Sequence, residues 1–220
     1  MDINTNQCAV IVFPFYPFSS KFQKDFVEKL SFKQKVSVYH YIDLNDFENY
    51  NELLNKILTI INTTSGKVIL ISFSIFSQIA GLIIKQYNDK IEGTVFIEPD
   101  FTNLIPNKNY NHFFRKKDIR NKITKLLTGN QKVNEKLMYH GNIDSFINIL
   151  KSITDRKSSF KLLDFISTGV KFIVIWSAMQ NECWPLPQVL SEDYNIPLLN
   201  IDKNIVSFLL DIDQINIDNI

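Results

Sequence analysis

The sequence has 220 residues, close to the size of one domain, and an apolar content of 45%, which suffices for a sizeable core. This composition excludes a disordered chain, and a formal net charge of +1 provides no overall field to attract nucleic acid as a partner. The two cysteines, Cys8 and Cys183, predict reduced thiols, because a chain of this size needs no disulfide framework to fold.

The first half of the sequence alternates between strand patterns and helix patterns. Continuous apolar and β-branched runs predict strands at residues 9–13, 35–42, 68–71 and 93–97. Apolar stripes with helical spacing predict the intervening helices at residues 22–30, 53–61 and 75–87. This alternation predicts an α/β fold, in which right-handed crossovers build a mainly parallel sheet with helices on both faces.

The character of the sequence changes after the fourth predicted strand. Residues 101–168 are rich in Lys and Asn and contain amphipathic segments at 113–127 and 143–153. No strand pattern of comparable strength occurs among them. We therefore predict a helical insertion over these residues.

The last part of the sequence returns to the strand pattern. Residues 170–176 and 196–201 predict two further strands, and residues 205–210 form either a helix or a strand. The complete sheet then has about six strands. We expect residues 1–220 to form a single domain that contains the helical insertion.

The sequence carries no signature of a cofactor, a metal site or a membrane span. Its six glycines occur singly, which excludes a glycine-rich phosphate loop, and no metal-ligand cluster is present. The apolar run at residues 8–18 is too short to cross a bilayer and is interrupted by Pro14 and Pro17. We therefore expect a cytoplasmic protein without a metal or cofactor.

The turn after the third predicted strand is the most informative segment. In open α/β sheets, functional side chains gather at the carboxyl ends of the strands. Ser74 lies there, between a strand and a helix, where an α/β-hydrolase carries the nucleophile of its GxSxG turn. Ser72 and Phe76 replace the two glycines, and Phe76 is bulky where the turn usually needs a close approach of helix and strand. A serine at this place in an ordinary α/β unit only caps the helix, so the spacing alone leaves both interpretations open.

Further features resemble, over most of the chain, the thioesterase domains that end nonribosomal peptide and polyketide synthases and the related stand-alone thioesterases. In chain order they are Phe13-Pro14 after the first strand, an aromatic-Asp pattern at residues 38–43, Tyr50 at the head of a helix, the turn at Ser74, Glu98 after a strand, Trp184 after a later strand and a short final helix at residues 204–210. The resemblance implies an α/β-hydrolase fold of reduced size, in which residues 101–168 form a lid.

The resemblance also implies roles for individual residues. Ser74 corresponds to the nucleophile that takes an acyl group from a carrier-protein thioester. Glu98 is the first choice for the triad acid, and Asp100 follows two residues later. In other α/β-hydrolases the acid follows the penultimate strand, where Glu182 stands as the alternative.

The oxyanion hole of the fold uses two backbone N–H groups. One belongs to the residue after the nucleophile, which is Ile75, and the other to the loop after the first strand, near Phe15 or Tyr16. This loop is rigid and aromatic, which suits an apolar acyl pocket but also suits a simple cover over the core.

The catalytic histidine of the family has no counterpart. Its place after the last strand is taken by Asn195, which cannot act as a base. The three histidines of the chain are His40, inside a predicted strand, and His112 and His140, inside the insertion. A serine nucleophile needs a base to remove its proton, so these residues leave the position of the base open.

Two main hypotheses follow. The first is a thioesterase-like acyl hydrolase or acyltransferase that acts on a small acyl or peptidyl group delivered by a carrier protein. The basic residues of the predicted helix at 113–127 suit docking of an acidic carrier protein, although they also suit a solvated surface. The second is a catalytically inactive hydrolase-fold protein that binds an acyl carrier protein, a lipid or a protein partner. An interaction subunit of a larger assembly is a third class.

Overall fold

The structure, a computed structural model, describes residues 7–16, 18–32, 35–99, 139–154, 167–177, 198–201 and 215–217. In chain order, its strands are β1 (Gln7–Val12), β2 (Leu30–Phe32), β3 (Lys35–Tyr41), β4 (Lys67–Phe73), β5 (Ile91–Ile97), β6 (Lys171–Ser177), β7 (Leu198–Ile201) and β8 (Ile215–Ile217). Six of them form one sheet in the order β3-β1-β4-β5-β6-β7, and every neighbouring pair is parallel. The predicted α/β fold with a mainly parallel sheet is confirmed.

Helices occupy the connections between the strands. Within the described residues they are α1 (Ser20–Val27), α2 (Tyr50–Thr63), α3 (Ser77–Tyr87) and α4 (Ile143–Thr154). The start of α2 shows how the sequence sets a boundary. The side chain of Asn49 accepts hydrogen bonds from the N–H groups of Asn51 and Glu52 at 3.0 and 3.1 Å, which satisfies two amides that have no partner inside the helix.

The sheet separates two hydrophobic cores. Residues of α2, α3 and α4 pack on one face and residues of α1 on the other. Strand β4 shows the division clearly, because Leu70 belongs to the first core whereas Ile69 and Ile71 belong to the second. Side chains of a strand alternate between its faces, so a strand that is buried on both faces has a continuous apolar sequence.

The six strands of the main sheet coincide with the six predicted ones, and the helix predicted at residues 143–153 is α4. The structure differs after α1. Leu30 was assigned to the helical stripe, but α1 ends at Val27 and Leu30 begins β2, which pairs with β8 in a separate parallel sheet. Leu30 is buried in either arrangement, so the apolar pattern does not distinguish them. The segments predicted at residues 113–127 and 205–210 lie outside the described residues.

Candidate active site

Ser74 follows β4 directly, at the carboxyl edge of the sheet. It begins a 3-10 turn, Ser74–Phe76, after which α3 starts at Ser77. Its φ of 46° lies in the left-handed region, where a residue other than glycine carries a strain of about 1–2 kcal/mol. Ser74 is partly exposed, whereas Ser72 and Ser77 on either side are fully buried. A strained, accessible serine between strand and helix is the geometry of a nucleophile elbow.

Glu98 occupies the same place on the neighbouring strand. Phe73 and Ile97 are register partners in the parallel pair β4 and β5, so Ser74 and Glu98 are the next residues of strands about 4.8 Å apart. Glu98 is 1% exposed, and its φ of 48° is also left-handed. Among the described residues, these two are the only ones other than glycine with a positive φ. Backbone strain of this kind clusters at functional sites.

The backbone of Glu98 is held by the sheet. Its N–H donates to the carbonyl oxygen of Ile175 in β6 at 2.9 Å, which extends the pairing of β5 and β6 one residue past the end of β5. Glu98 therefore follows β5 directly in the chain and is hydrogen-bonded to β6 through its backbone N–H. This anchoring places the residue at the carboxyl edge, beside the turn of Ser74.

Phe76 stands where the GxSxG turn has its second glycine, and the sequence suggested that its bulk would disturb the close approach of helix and strand. The structure buries Phe76, which is 1% exposed, in the core formed with α2, α3 and α4. It is the last residue of the 3-10 turn and precedes the first residue of α3. The ring is thus accommodated by the core.

The loop after β1 lies against the turn of Ser74. The N–H of Phe13 donates to the carbonyl oxygen of Ile71 at 2.8 Å, which continues the pairing of β1 and β4 into the loop. The ring of Phe15 stacks on the ring of Phe73, with centroids 4.6 Å apart and planes at 13°. Because Phe73 immediately precedes Ser74, this stack holds the loop beside the turn of Ser74.

The predicted oxyanion residues therefore lie on two neighbouring segments. Ile75 is in the first positions of the 3-10 turn, where N–H groups have no partner within the helix. Phe15 is 1% exposed and Tyr16 is partly exposed, and both lie in the loop stacked against β4. The N–H of Phe18 donates to the carbonyl oxygen of Phe15 at 2.6 Å, which makes this loop a tight turn.

Helix α4, from the predicted insertion, packs on the same loop. The ring of Tyr16 stacks on Phe146 of α4, with centroids 4.0 Å apart and planes at 15°. Tyr139 meets Tyr16 edge to face at 5.8 Å. A helix from the predicted insertion thus contacts the loop that carries the predicted oxyanion donors.

Tyr139 provides a prediction on pH dependence. Burial, and secondarily the nearby carboxylate of Asp43, raise its pKa from 10.0 to about 12. Below pH 10 the phenol is neutral in both the folded and the unfolded chain. Between pH 10 and 12 only the unfolded chain loses the proton, so stability declines with rising pH. We expect the urea midpoint of Tyr139→Phe to decline less steeply than that of the wild type between pH 10 and 12. Below pH 9 the two midpoints should differ only by a constant. Parallel curves over the whole range would contradict this assignment.

Neither of the two described histidines forms a hydrogen bond with Ser74. His40 lies in β3 opposite Ile11 of β1, and β1 separates β3 from β4. Burial, and secondarily the ammonium group of Lys56, lower the pKa of His40, which favours its neutral form. His140 is exposed and lies shortly before α4. Within the described part of the chain, the hydroxyl of Ser74 forms no hydrogen bond.

The remaining predicted site residues are Asp100, Glu182, Asn195 and His112, and they lie outside the described residues. Their roles stay predictions. In the ranges that the structure describes, no group of three His, Cys, Asp or Glu side chains is arranged to hold a metal ion. The helices of these ranges include none with the length and apolar character that crossing a bilayer requires.

No family model and no curated protein matches the sequence. Solved structures match the fold. MenH from S. aureus has a TM-score of 0.64 at 11% identity, over 96% of this chain and 90% of its own. A lipase-esterase related protein from Clostridium acetobutylicum has a TM-score of 0.61 at 12% identity, over 91% and 87%. An epoxide hydrolase from Bacillus megaterium has a TM-score of 0.57 at 13% identity, over 90% and 86%. At such identities the likeness shows the fold alone, which is that of the α/β-hydrolases.

Proposed function

We propose that this protein, which has an α/β-hydrolase fold, is a serine-dependent acyl hydrolase or acyltransferase acting on acyl or peptidyl thioesters of a carrier protein. The observation that carries the proposal is the backbone of Ser74, strained and partly exposed at the end of β4. Strain persists only where the surrounding structure imposes it. Of the serines at positions 72, 74 and 77, Ser74 is the one that is both strained and partly exposed.

The proposed reaction has two steps. The hydroxyl of Ser74 loses its proton to a base, and its oxygen forms a bond to the acyl carbon. The C–S bond then breaks, and the proton passes to the departing sulfur, which leaves an acyl ester on Ser74. In the second step, water or an acceptor attacks this ester and restores the serine. The N–H of Ile75 and one N–H of Phe15 or Tyr16 donate to the oxyanion of each step.

Glu98 is the proposed triad acid, with Asp100 and Glu182 as the alternatives. Its role is to orient the base and to stabilise the base when it is protonated. Burial at the carboxyl edge, beside the turn of Ser74, supports this choice.

Thioesters and oxygen esters share this route through an acyl-enzyme. The names of the similar structures mention a lipase-esterase related protein and a thermophilic esterase from Thermogutta terrifontis, which supports ester-type chemistry in general. The choice of a carrier-protein thioester depends on the resemblance to synthase thioesterases. A lid over residues 101–168 is part of the proposal, and it is supported by the stacking of Phe146 on Tyr16.

A second candidate function is binding without catalysis. It is favoured by Asn195 at the place of the family's histidine. In that case the protein would bind an acyl carrier protein, a lipid or a protein partner.

A fluorophosphonate probe and a series of acyl thioesters separate the two functions. We expect labelling and turnover by the wild type, and a loss of at least about 1000-fold in Ser74→Ala and in Ser74→Gly. Ser74→Gly is the control for misfolding, because glycine adopts a φ of 46° without strain. Ser152→Ala, which removes the hydroxyl of a serine in α4 and leaves Ser74 intact, should retain both labelling and turnover. Absence of labelling and turnover in the folded wild type would contradict the proposed enzymatic function and favour binding without catalysis.

A further inference from the structure

We infer that the buried hydroxyl pair of Ser72 and Ser77 positions the nucleophile by closing the turn around Ser74. The inference rests on the proposed function, because it assigns Ser74 the nucleophilic role. Ser72 and Ser77 are positioning residues, since neither is exposed to a substrate.

The geometry of the pair fits this role. The two Oγ atoms are 3.3 Å apart, and both residues are 0% exposed. Ser72 is the penultimate residue of β4 and Ser77 is the first residue of α3. Their hydrogen bond therefore joins the two ends of the segment that carries Ser74.

Because both hydroxyl groups are buried, water cannot replace either of them as a hydrogen-bond partner. A hydroxyl group both donates and accepts, and a buried hydroxyl that loses its partner is not compensated by water. Each serine therefore favours the arrangement in which the end of β4 and the start of α3 stay close together. The glycines of a GxSxG turn allow the same close approach by having no side chain.

Ser74 requires such a restraint. Its left-handed φ is strained, so the turn would relax towards an ordinary conformation if its two ends moved apart. Relaxation would move the hydroxyl relative to the N–H of Ile75 and to the loop of Phe15. Misplacement of a reacting group by about 1 Å can cost about 100-fold in rate without weakening the binding of the substrate.

The experiment measures the maximal rate of fluorophosphonate labelling, kinact, separately from the half-saturating probe concentration, KI. We expect Ser72→Ala and Ser77→Ala each to lower kinact by about 10–100-fold with KI unchanged. The double variant should lose no more than the worse single variant, because all three lack the same bond. All rates are measured well below the Tm of each variant.

Thr94→Val is the matched control. Thr94 lies in β5, is 0% exposed, and donates from Oγ1 to the carbonyl oxygen of Leu70 in β4 at 3.1 Å. It is a buried hydroxyl bond that joins β5 to β4, the strand that also carries Ser72, away from the turn. Its loss should lower Tm by a few degrees, as a purely structural change does, and leave kinact unchanged.

Ser77→Thr tests whether the hydroxyl itself is needed. It retains the hydroxyl and should keep kinact within a few-fold of the wild type. Wild-type kinact in both alanine variants, with labelling abolished in Ser74→Ala, would overturn the inference and leave the proposed function standing. A loss in Ser77→Thr equal to that in Ser77→Ala would also overturn it. Absence of labelling in the wild type would overturn both.

Discussion

Phe76→Ala is expected to lower the free energy of unfolding by about 3–5 kcal/mol, the usual cost of removing a buried aromatic ring. Phe76 is 1% exposed and packs in the core that includes Ile79 and Ile83 of α3. The neighbouring side chains belong to rigid helices and strands, so they cannot collapse into the space left by the ring. Urea unfolding, with the midpoint and the m-value fitted together, measures the loss.

Ile75→Ala is the control for this change. Ile75 is the preceding residue of the same 3-10 turn and is only partly buried, so its truncation should cost about 1 kcal/mol. Phe76→Gly restores the glycine of the GxSxG turn, and we expect it to be at least as destabilising as Phe76→Ala. Equal losses in Ile75→Ala and Phe76→Ala, or a gain in Phe76→Gly, would show that the ring does not support the turn.

Glu98→Gln should lower kcat/KM for an acyl thioester by about 1000- to 10,000-fold if Glu98 is the triad acid. Glutamine has the same shape as glutamate, but it lacks the negative charge that stabilises a protonated base. The measurement is the steady-state rate with a soluble acyl thioester, together with Tm to show that the fold is retained.

Glu92→Gln provides the matched control. Glu92 lies in the same strand as the residues that lead to Glu98, and it pairs with Lys171 at 3.8 Å on the partly exposed amino end of β5. It should retain activity within about two-fold, because exposed ion pairs contribute little. Full activity in Glu98→Gln together with a large loss in Glu182→Gln would transfer the role to Glu182. Full activity in both, and in Asp100→Asn, would exclude a triad acid at these positions.

The main sheet could be predicted because parallel strands that are buried on both faces have continuous apolar sequences. Residues 68–71 form a continuous apolar run, and the structure extends it to β4 without changing its type. The pair β2 and β8 could not be predicted. Each has three residues, and their pairing depends on segments far apart in the chain, which no local pattern reports.

The candidate site was predictable by position and not by geometry. The end of each strand is visible in the sequence, and Ser74 and Glu98 each follow such an end. The left-handed backbone of both residues depends on tertiary restraint, so no pattern signals it. The hydroxyl pair of Ser72 and Ser77 was also missed, since serines five residues apart become neighbours only through the 3-10 turn. The sequence also does not show that the ring of Phe76 has space in the core, because that space is formed by helices and strands from distant parts of the chain.

The pairing of β2 with β8 has a consequence for biosynthesis. β2 is translated well before β8, which follows all six strands of the main sheet in the chain. Until then the edge of β2 lacks the strand with which it pairs in the folded protein, and an unpaired edge is a template for association with other chains. Closing such a long loop is slow compared with local pairing. Early termination of translation upstream of residue 215 should therefore yield a product that depends on chaperones to remain dispersed.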